Sequence, residues 1–158
     1  MSRKHQKIAQ LLSSVESAAF DPHYIGYFEC FNRQQFFEAH EVLEELWLSQ
    51  RGQAKDLFYK GLIQLAGAFV HVQKQRRSPA RSLLKLARAN LGRFPRPFDG
   101  LDLDEVLQLI DTWSNSLEAE DGVGGPVAPD RWPKLNLQPV PGQTGVTATE
   151  AFDGGGPP

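Results

Sequence analysis

The chain has a single cysteine, Cys30, which excludes an internal disulfide framework and leaves no second thiol for a sulfur-bound metal. No run approaches the roughly 18 consecutive apolar residues of a membrane span, so no membrane partner is expected. The start, Met1 to Lys7, is basic but no long apolar stretch follows it, so we expect no signal peptide and a reducing cytoplasm as the compartment. Convincing period-2 alternation between turn residues is also missing, which removes strands from the expected elements. Acid is absent from one long interval. Between Asp56 and Asp99 there is no Asp or Glu, while Lys60, Lys74, Arg76, Arg77, Arg81, Lys85, Arg88, Arg93 and Arg96 all lie there. The segment before it has the opposite bias, with Glu38, Glu41, Glu44 and Glu45. The net charge of -2 conceals this division. It argues against a purely electrostatic nucleic-acid binder and leaves room for a local basic face.

At 158 residues, 41% hydrophobic and 23% charged, the chain has the size and composition of one globular domain. Glycine and proline divide it. From Glu118 to Pro158 lie 8 of the 14 glycines and 7 of the 11 prolines, a composition that cannot bury enough apolar surface to offset the entropy of ordering. Residues 118–158 are therefore expected to form a mostly disordered tail. One stretch in it, Trp132-Pro133-Lys134-Leu135-Asn136-Leu137, is apolar enough to dock on the domain in extended form.

Residues 8–117 read as helices throughout. Ile8, Leu11, Leu12 and Val15 outline a first amphipathic helix. Asp21-Pro22 offers an N-cap followed by proline at the first helical position, for a short helix towards Phe31. Asn32 with Gln35 three residues on has the form of a capping box, and Gly52 can close the helix it opens. A long helix is expected from about Ala54 to Gln75, another from Ser78-Pro79 to Gly92, and a last one from Asp102 with Glu105 to Leu117. The expected fold is all-α, a single multi-helix bundle around one apolar central helix. In that central helix Leu57, Phe58, Tyr59, Leu62, Ile63, Leu65, Ala66, Phe69, Val70 and Val72 cover almost the whole circumference. Its only polar strip is Lys60, Gln64, Gly67 and His71.

The helix before it buries Phe36, Ala39, Leu43, Leu46 and Trp47 on one arc, with His40 and Glu44 inside or beside that arc. Antiparallel packing of the two helices would let the His40/Glu44 edge meet the Gln64/His71 strip. The run Phe36-Phe37-Glu38-Ala39-His40-Glu41-Val42-Leu43-Glu44-Glu45-Leu46-Trp47, followed by Phe58-Tyr59-Lys60-Gly61-Leu62-Ile63-Gln64, resembles the bacterial and archaeal family catalogued as domain of unknown function 309. His40, Glu44 and Trp47 meet that family's H-x-x-x-E-x-x-W/Y signature. The resemblance covers roughly Phe28 to Trp113. It implies an all-helical domain and a signature suggested to bind metal.

Two readings follow for these residues. A divalent metal, Zn²⁺, Mn²⁺ or Fe²⁺, would take His40 and Glu44 as ligands one helical turn apart and His71 as the third, in a metal-binding domain or small metal-dependent hydrolase. His40-Glu41 also resembles the start of the zinc-protease pattern H-E-x-x-H, but position 44 is Glu, not His. Alternatively His40, Glu44, Gln64 and His71, with Glu41 and Trp47 beside them, form a structural polar network that does no chemistry, in a non-enzymatic interaction module. The favoured reading of Trp47 is a core residue, and of Gly61 and Gly67 close helix packing. The basic face Arg77, Arg81, Lys85 and Arg88 is the second candidate site, for an acidic or nucleic-acid partner. A solvated face, or one paired with Glu38, Glu41 and Glu45, is favoured over it, and no aromatics interleave to stack bases.

Overall fold

Six α-helices and one 3-10 turn make up the regular structure of the computed structural model, which describes residues 3–12, 20–119 and 127–138. Val15 of the first amphipathic pattern and residues 120–126 and 139–158 of the tail lie outside the described residues. The helices are α1 (Arg3–Leu12), α2 (Pro22–Asn32), α3 (Phe36–Ser49), α4 (Asp56–Gln73), α5 (Arg77–Leu91) and α6 (Leu103–Glu118). Among the described residues there is no strand, only two isolated bridges, Phe98 with Leu101 and Leu101 with Leu137. None of these helices is long and apolar enough to cross a membrane.

Local chemistry sets several boundaries. The Asp21 carboxylate accepts the His23 amide at 2.8 Å, with Pro22 at the first position of α2. Asp102 accepts the Glu105 amide at 3.2 Å at the head of α6, and Gly92 caps α5. Several boundaries differ from the sequence reading: α3 stops at Ser49 with Gln50 as its cap, ahead of Gly52, and α4 runs Asp56–Gln73, inside the expected Ala54 to Gln75. α5 begins at Arg77, ahead of Ser78. The Asn32/Gln35 capping box is not formed: Asn32 is the last residue of α2, and α3 starts at Phe36 without a side-chain cap.

Asn32 is used elsewhere. Its Nδ2 donates to the Leu135 carbonyl at 2.8 Å, and its Oδ1 accepts the Leu135 amide at 2.7 Å. One side chain thus satisfies both backbone groups of a tail residue, as a neighbouring strand would. Leu135 is buried there. Nearby, the Gln138 amide donates to the Gly100 carbonyl at 2.7 Å. Gly100 has φ +74°, and a Cβ on it would stand 2.3 Å from the Gln138 carbonyl oxygen, so only glycine fits.

α4 packs on both α3 and α5, α2 packs on α3, and α6 on α5. Ten residues of α4 are buried, from Phe58 to Val72, as its near-continuous apolar circumference requires. An aromatic seam ties the layers: Phe31 to Phe36 with centroids at 4.9 Å, Phe36 to Phe69 at 5.4 Å, and Phe69 edge-on to Trp113 at 5.1 Å. Trp132 of the tail then stacks on Trp113 at 6.3 Å. The fully buried phenol of Tyr27 donates to the Leu62 carbonyl at 2.6 Å, so its burial leaves no polar group unsatisfied.

Candidate functional site: an acidic helix edge beneath a basic helix

Phe37, Glu41, Glu44 and Leu48 follow one another at spacings of four, three and four, and so form one stripe along α3. Phe37 and Leu48 at its ends are about half exposed, at 50% and 51%. α1 is seated on this acidic edge. Lys4 donates to Glu44, Lys7 donates to Glu41 at 3.0 Å, and His5 Nδ1 lies 2.9 Å from Glu45 Oε2. The Lys7 ammonium also sits 5.3 Å from the centroid of the Phe37 ring, close enough for a cation–π contact. Ile8 is fully buried and anchors α1. The hydrogen bond to Glu41 raises the Lys7 pKa above its ordinary value, against some desolvation.

Glu45 serves two imidazoles. Its Oε1 lies 2.8 Å from His23 Nε2 of α2, while its Oε2 takes His5. Partial burial would raise its pKa, but the hydrogen bonds from His23 and His5 outweigh burial and hold the carboxyl below its usual range. A single carboxylate thereby connects α1, α2 and α3.

His40 lies beside this row, its ring stacked on Phe37 at 5.9 Å. Its Nδ1 is buried with no hydrogen-bond partner, and the same is true of His71 Nδ1. Burial lowers the His40 pKa, against the pull of Glu44 and Glu41. Burial also lowers that of His71, with Arg76 and Lys74 acting in the same direction. The charges acting on the two histidines are therefore different sets.

Glu44 and Gln64 do not make the expected meeting of the His40/Glu44 edge with the Gln64/His71 strip. Gln64 accepts from Asn90 of α5 at 2.8 Å, while Glu44 turns to Lys4 of α1. Glycine explains the difference. A Cβ on Gly61 would approach Leu91 Cγ to 2.8 Å, and one on Gly67 would touch Leu83 Cδ1 at 3.4 Å. Gln64, Gly61 and Gly67 of α4 thus face α5, while Lys60 lies over the Trp47 ring of α3. Trp47, the third signature residue, donates its indole N–H to Asp56, whose Oδ2 accepts the Gly52 amide at 3.0 Å. It holds the α3–α4 turn.

These placements bear on metal. A structural Zn²⁺ centre takes four protein ligands and a catalytic one three. Among the described residues no three His, Cys, Asp or Glu side chains are grouped to hold an ion. His40 offers an unpartnered nitrogen, but Glu44 is engaged by a lysine, so the set His40, Glu44 and His71 does not fit a resident metal.

The basic helix faces α6. Arg88 grips Asp111 through two bonds, at 2.6 and 3.0 Å. Arg81 lies 3.4 Å from Glu118, and Arg77 donates to the carbonyls of Leu117 and Ala119 at the end of α6. Only Lys85 among the four has no such link to α6, and it is exposed. The acidic partners of this face are therefore those of α6; Glu41 and Glu45, and Glu44 beside them, are taken by α1 and His23. Sequence reasoning missed Lys4, His5, Lys7 and His23 as site residues. The available signal was the cation spacing at positions 4 and 7, one helical turn apart like Glu41 and Glu44.

Fold and site together define a small all-α domain with its signature residues on one helix. Residues 24–83 match the family model described as "Domain of unknown function (DUF309)", a span that includes His40, Glu44 and Trp47. The chain is also similar to the "Uncharacterized protein YpuF" of Bacillus subtilis (strain 168), at 29% identity over 115 residues. That alignment covers 71% of this chain and 66% of the relative, so the chain spans just under two thirds of that protein's length. No solved structure matches.

Proposed function

We propose that this domain is a non-enzymatic helical interaction module, and that its recognition surface is the acidic edge of α3, which receives a short basic amphipathic helix. The observation that carries the reading is α1 itself. It places a cation on each acid of the stripe, Lys4 on Glu44 and Lys7 on Glu41, with one buried apolar anchor, Ile8. Exposed ion pairs of this kind contribute little singly and are weakened by salt. They select a partner by charge pattern while leaving it exchangeable. A partner helix with two cations one turn apart and an apolar residue beside them would take the place of α1.

The test is binding in trans. A labelled peptide of the α1 sequence, Met1 to Leu12, is titrated with the full chain carrying Lys4→Glu and Lys7→Glu, whose own α1 is repelled from the stripe. Anisotropy should rise, and the rise should weaken as salt is added. The reading is lost if the peptide does not bind, or binds equally well when Glu41→Lys and Glu44→Lys are introduced instead.

A further inference from the structure

With α1 in place, both ends of the α3 stripe are still half open, Phe37 at 50% and Leu48 at 51% exposure. The spacing along Phe37, Glu41, Glu44 and Leu48 is that of the seam one helix offers another in a coiled coil. The middle of this seam is acidic and its ends are apolar. The ion pairs fix the register and direction of an occupant. Lys4 takes Glu44 and Lys7 takes Glu41, so residue numbers rise along α1 as they fall along α3, and the two helices are antiparallel. On that register the place opposite Phe37 lies four residues after Lys7, where the sequence has Leu11. The place opposite Leu48 lies four residues before Lys4, ahead of Arg3, where α1 begins. One further turn of helix, about 5.4 Å, would bring a side chain to it.

We propose that the partner of this edge is a helix with apolar, basic, basic and apolar residues at spacings of four, three and four, which runs antiparallel to α3 and differs from α1 by an apolar side chain packed on Leu48. The proposal rests on the α3 edge being a recognition surface, as read above. The two cations supply register and direction, since a helix shifted along the seam would set Glu41 or Glu44 against an apolar side chain. The apolar ends supply affinity, because the partner takes from water the part of Leu48 that α1 leaves there. That difference lets a partner compete with α1, which is tethered and therefore present at high effective concentration. Polyanionic occupants are excluded by the same charges. Nucleic acid or an anionic lipid surface would meet Glu41 and Glu44 with like charge, and Glu38 and Glu45 of the same helix add to that repulsion.

Two labelled peptides test this. Both extend the Met1 to Leu12 sequence by one turn of alanines at its N-terminus, and one of them has leucine in place of alanine four residues before Lys4. On the full chain carrying Lys4→Glu and Lys7→Glu, the leucine peptide should bind roughly five- to tenfold more tightly than the alanine peptide, as expected for partial burial of one leucine. Leu48→Ala added to that chain should abolish the difference and leave binding of the alanine peptide unchanged. Wild type gives a second measurement that does not depend on the folding of the charge variant. Saturation with the leucine peptide should remove amide protection from α1 and leave that of α4 unchanged. Equal binding of the two peptides means that the edge holds nothing longer than α1, the α1 of a second copy included, and overturns the inference alone. A preference for leucine that survives Leu48→Ala places that side chain elsewhere and overturns it as well, as does binding to wild type that leaves α1 protected. Failure of both peptides to bind, or an α1 without protection in free wild type, overturns the reading beneath it too.

Discussion

Trp47 donates its indole N–H to the carboxylate of Asp56, nine residues further on, and so closes the turn between α3 and α4. The other carboxylate oxygen holds the Gly52 amide, and Gly52 has a φ of +84° that suits glycine. Arg51 and Lys60 lie over the same indole ring, at 5.5 and 5.9 Å from its centroid. The H-x-x-x-E-x-x-W signature therefore separates into two tasks. Its His and Glu belong to the edge under α1, and its Trp belongs to the turn.

Trp47→Phe keeps most of the ring but removes the donor. Asp56→Ala removes the acceptor for both Trp47 and Gly52. Each is expected to lower the thermal midpoint, Asp56→Ala by more. Because the two side chains act on one contact, the double variant should lose less than the sum of the singles. Additive losses in that cycle would show that the turn does not depend on the indole–carboxylate contact.

A second expectation concerns the tail. Asn32→Ala leaves the Leu135 amide and carbonyl without partners and should cost about 1–3 kcal/mol. Leu135→Ala removes a buried side chain and should cost about 2–5 kcal/mol. A chain ending after residue 138 should match the full chain in denaturant. One ending after residue 119 should keep its helical signal but unfold earlier, since Trp132 no longer covers Phe36 and Trp113. Equal midpoints for the two truncations would mean that the docked segment adds nothing to stability.

How far the sequence could be read depended on the range of each interaction. Asp21-Pro22, Asp102 with Glu105 and the Gly92 stop are local, and the helices end where those residues say. The burial of α4 was legible for the same reason, since an apolar circumference needs cover from every side. Asn32 was misread because its chemistry suits a cap equally well as a clamp, and its partner lies 103 residues away. Gln64 was assigned to α3 but bonds Asn90 of α5. A helix with two partners presents polar residues to both, and periodicity does not say which one α3 or α5 will take. Gly61 and Gly67 announced a close approach without naming the helix that approaches. The strap across His40 and Glu44 needed the charges of α1 to be matched to those of α3, a comparison between elements.

The two glycines give opposite expectations. Gly61→Ala pushes a methyl to 2.8 Å from Cγ of the fully buried Leu91, and should cost about 1–3 kcal/mol through overpacking. Gly67→Ala meets Leu83 Cδ1 at 3.4 Å, an ordinary contact, and should gain up to about 1 kcal/mol from helix propensity. Denaturant midpoints of the two variants decide this. A destabilised Gly67→Ala would show that α5 approaches more closely there than the structure indicates.

For metal, purified protein is expected to hold no ion on His40, Glu44 and His71 together, because Glu44 is bound to Lys4 and the three are not grouped. Elemental analysis and the melting temperature with and without a chelator check this. One equivalent of Zn²⁺, Mn²⁺ or Fe²⁺ that is lost in both Glu44→Gln and His71→Gln would reinstate a shared site.

The last expectation is a pH dependence of global stability. His40 and His71 both have pKa values lowered by burial, and Arg76 and Lys74 lower that of His71 further. In the unfolded chain each returns to about 6.5. Above that value both states are neutral at these sites, and their contribution is fully present. As pH falls below it, the unfolded chain takes up protons that the folded chain resists, so the equilibrium moves towards unfolding. Each ring buries an Nδ1 with no partner, so protonation there would place an N–H with no acceptor. The denaturant midpoint of the whole domain should therefore drop between about pH 7.5 and about pH 5.5. His40→Gln and His71→Gln should each flatten the global dependence. A wild-type midpoint that holds steady or rises on acidification would mean that both buried rings find acceptors once charged, and that their burial carries no penalty.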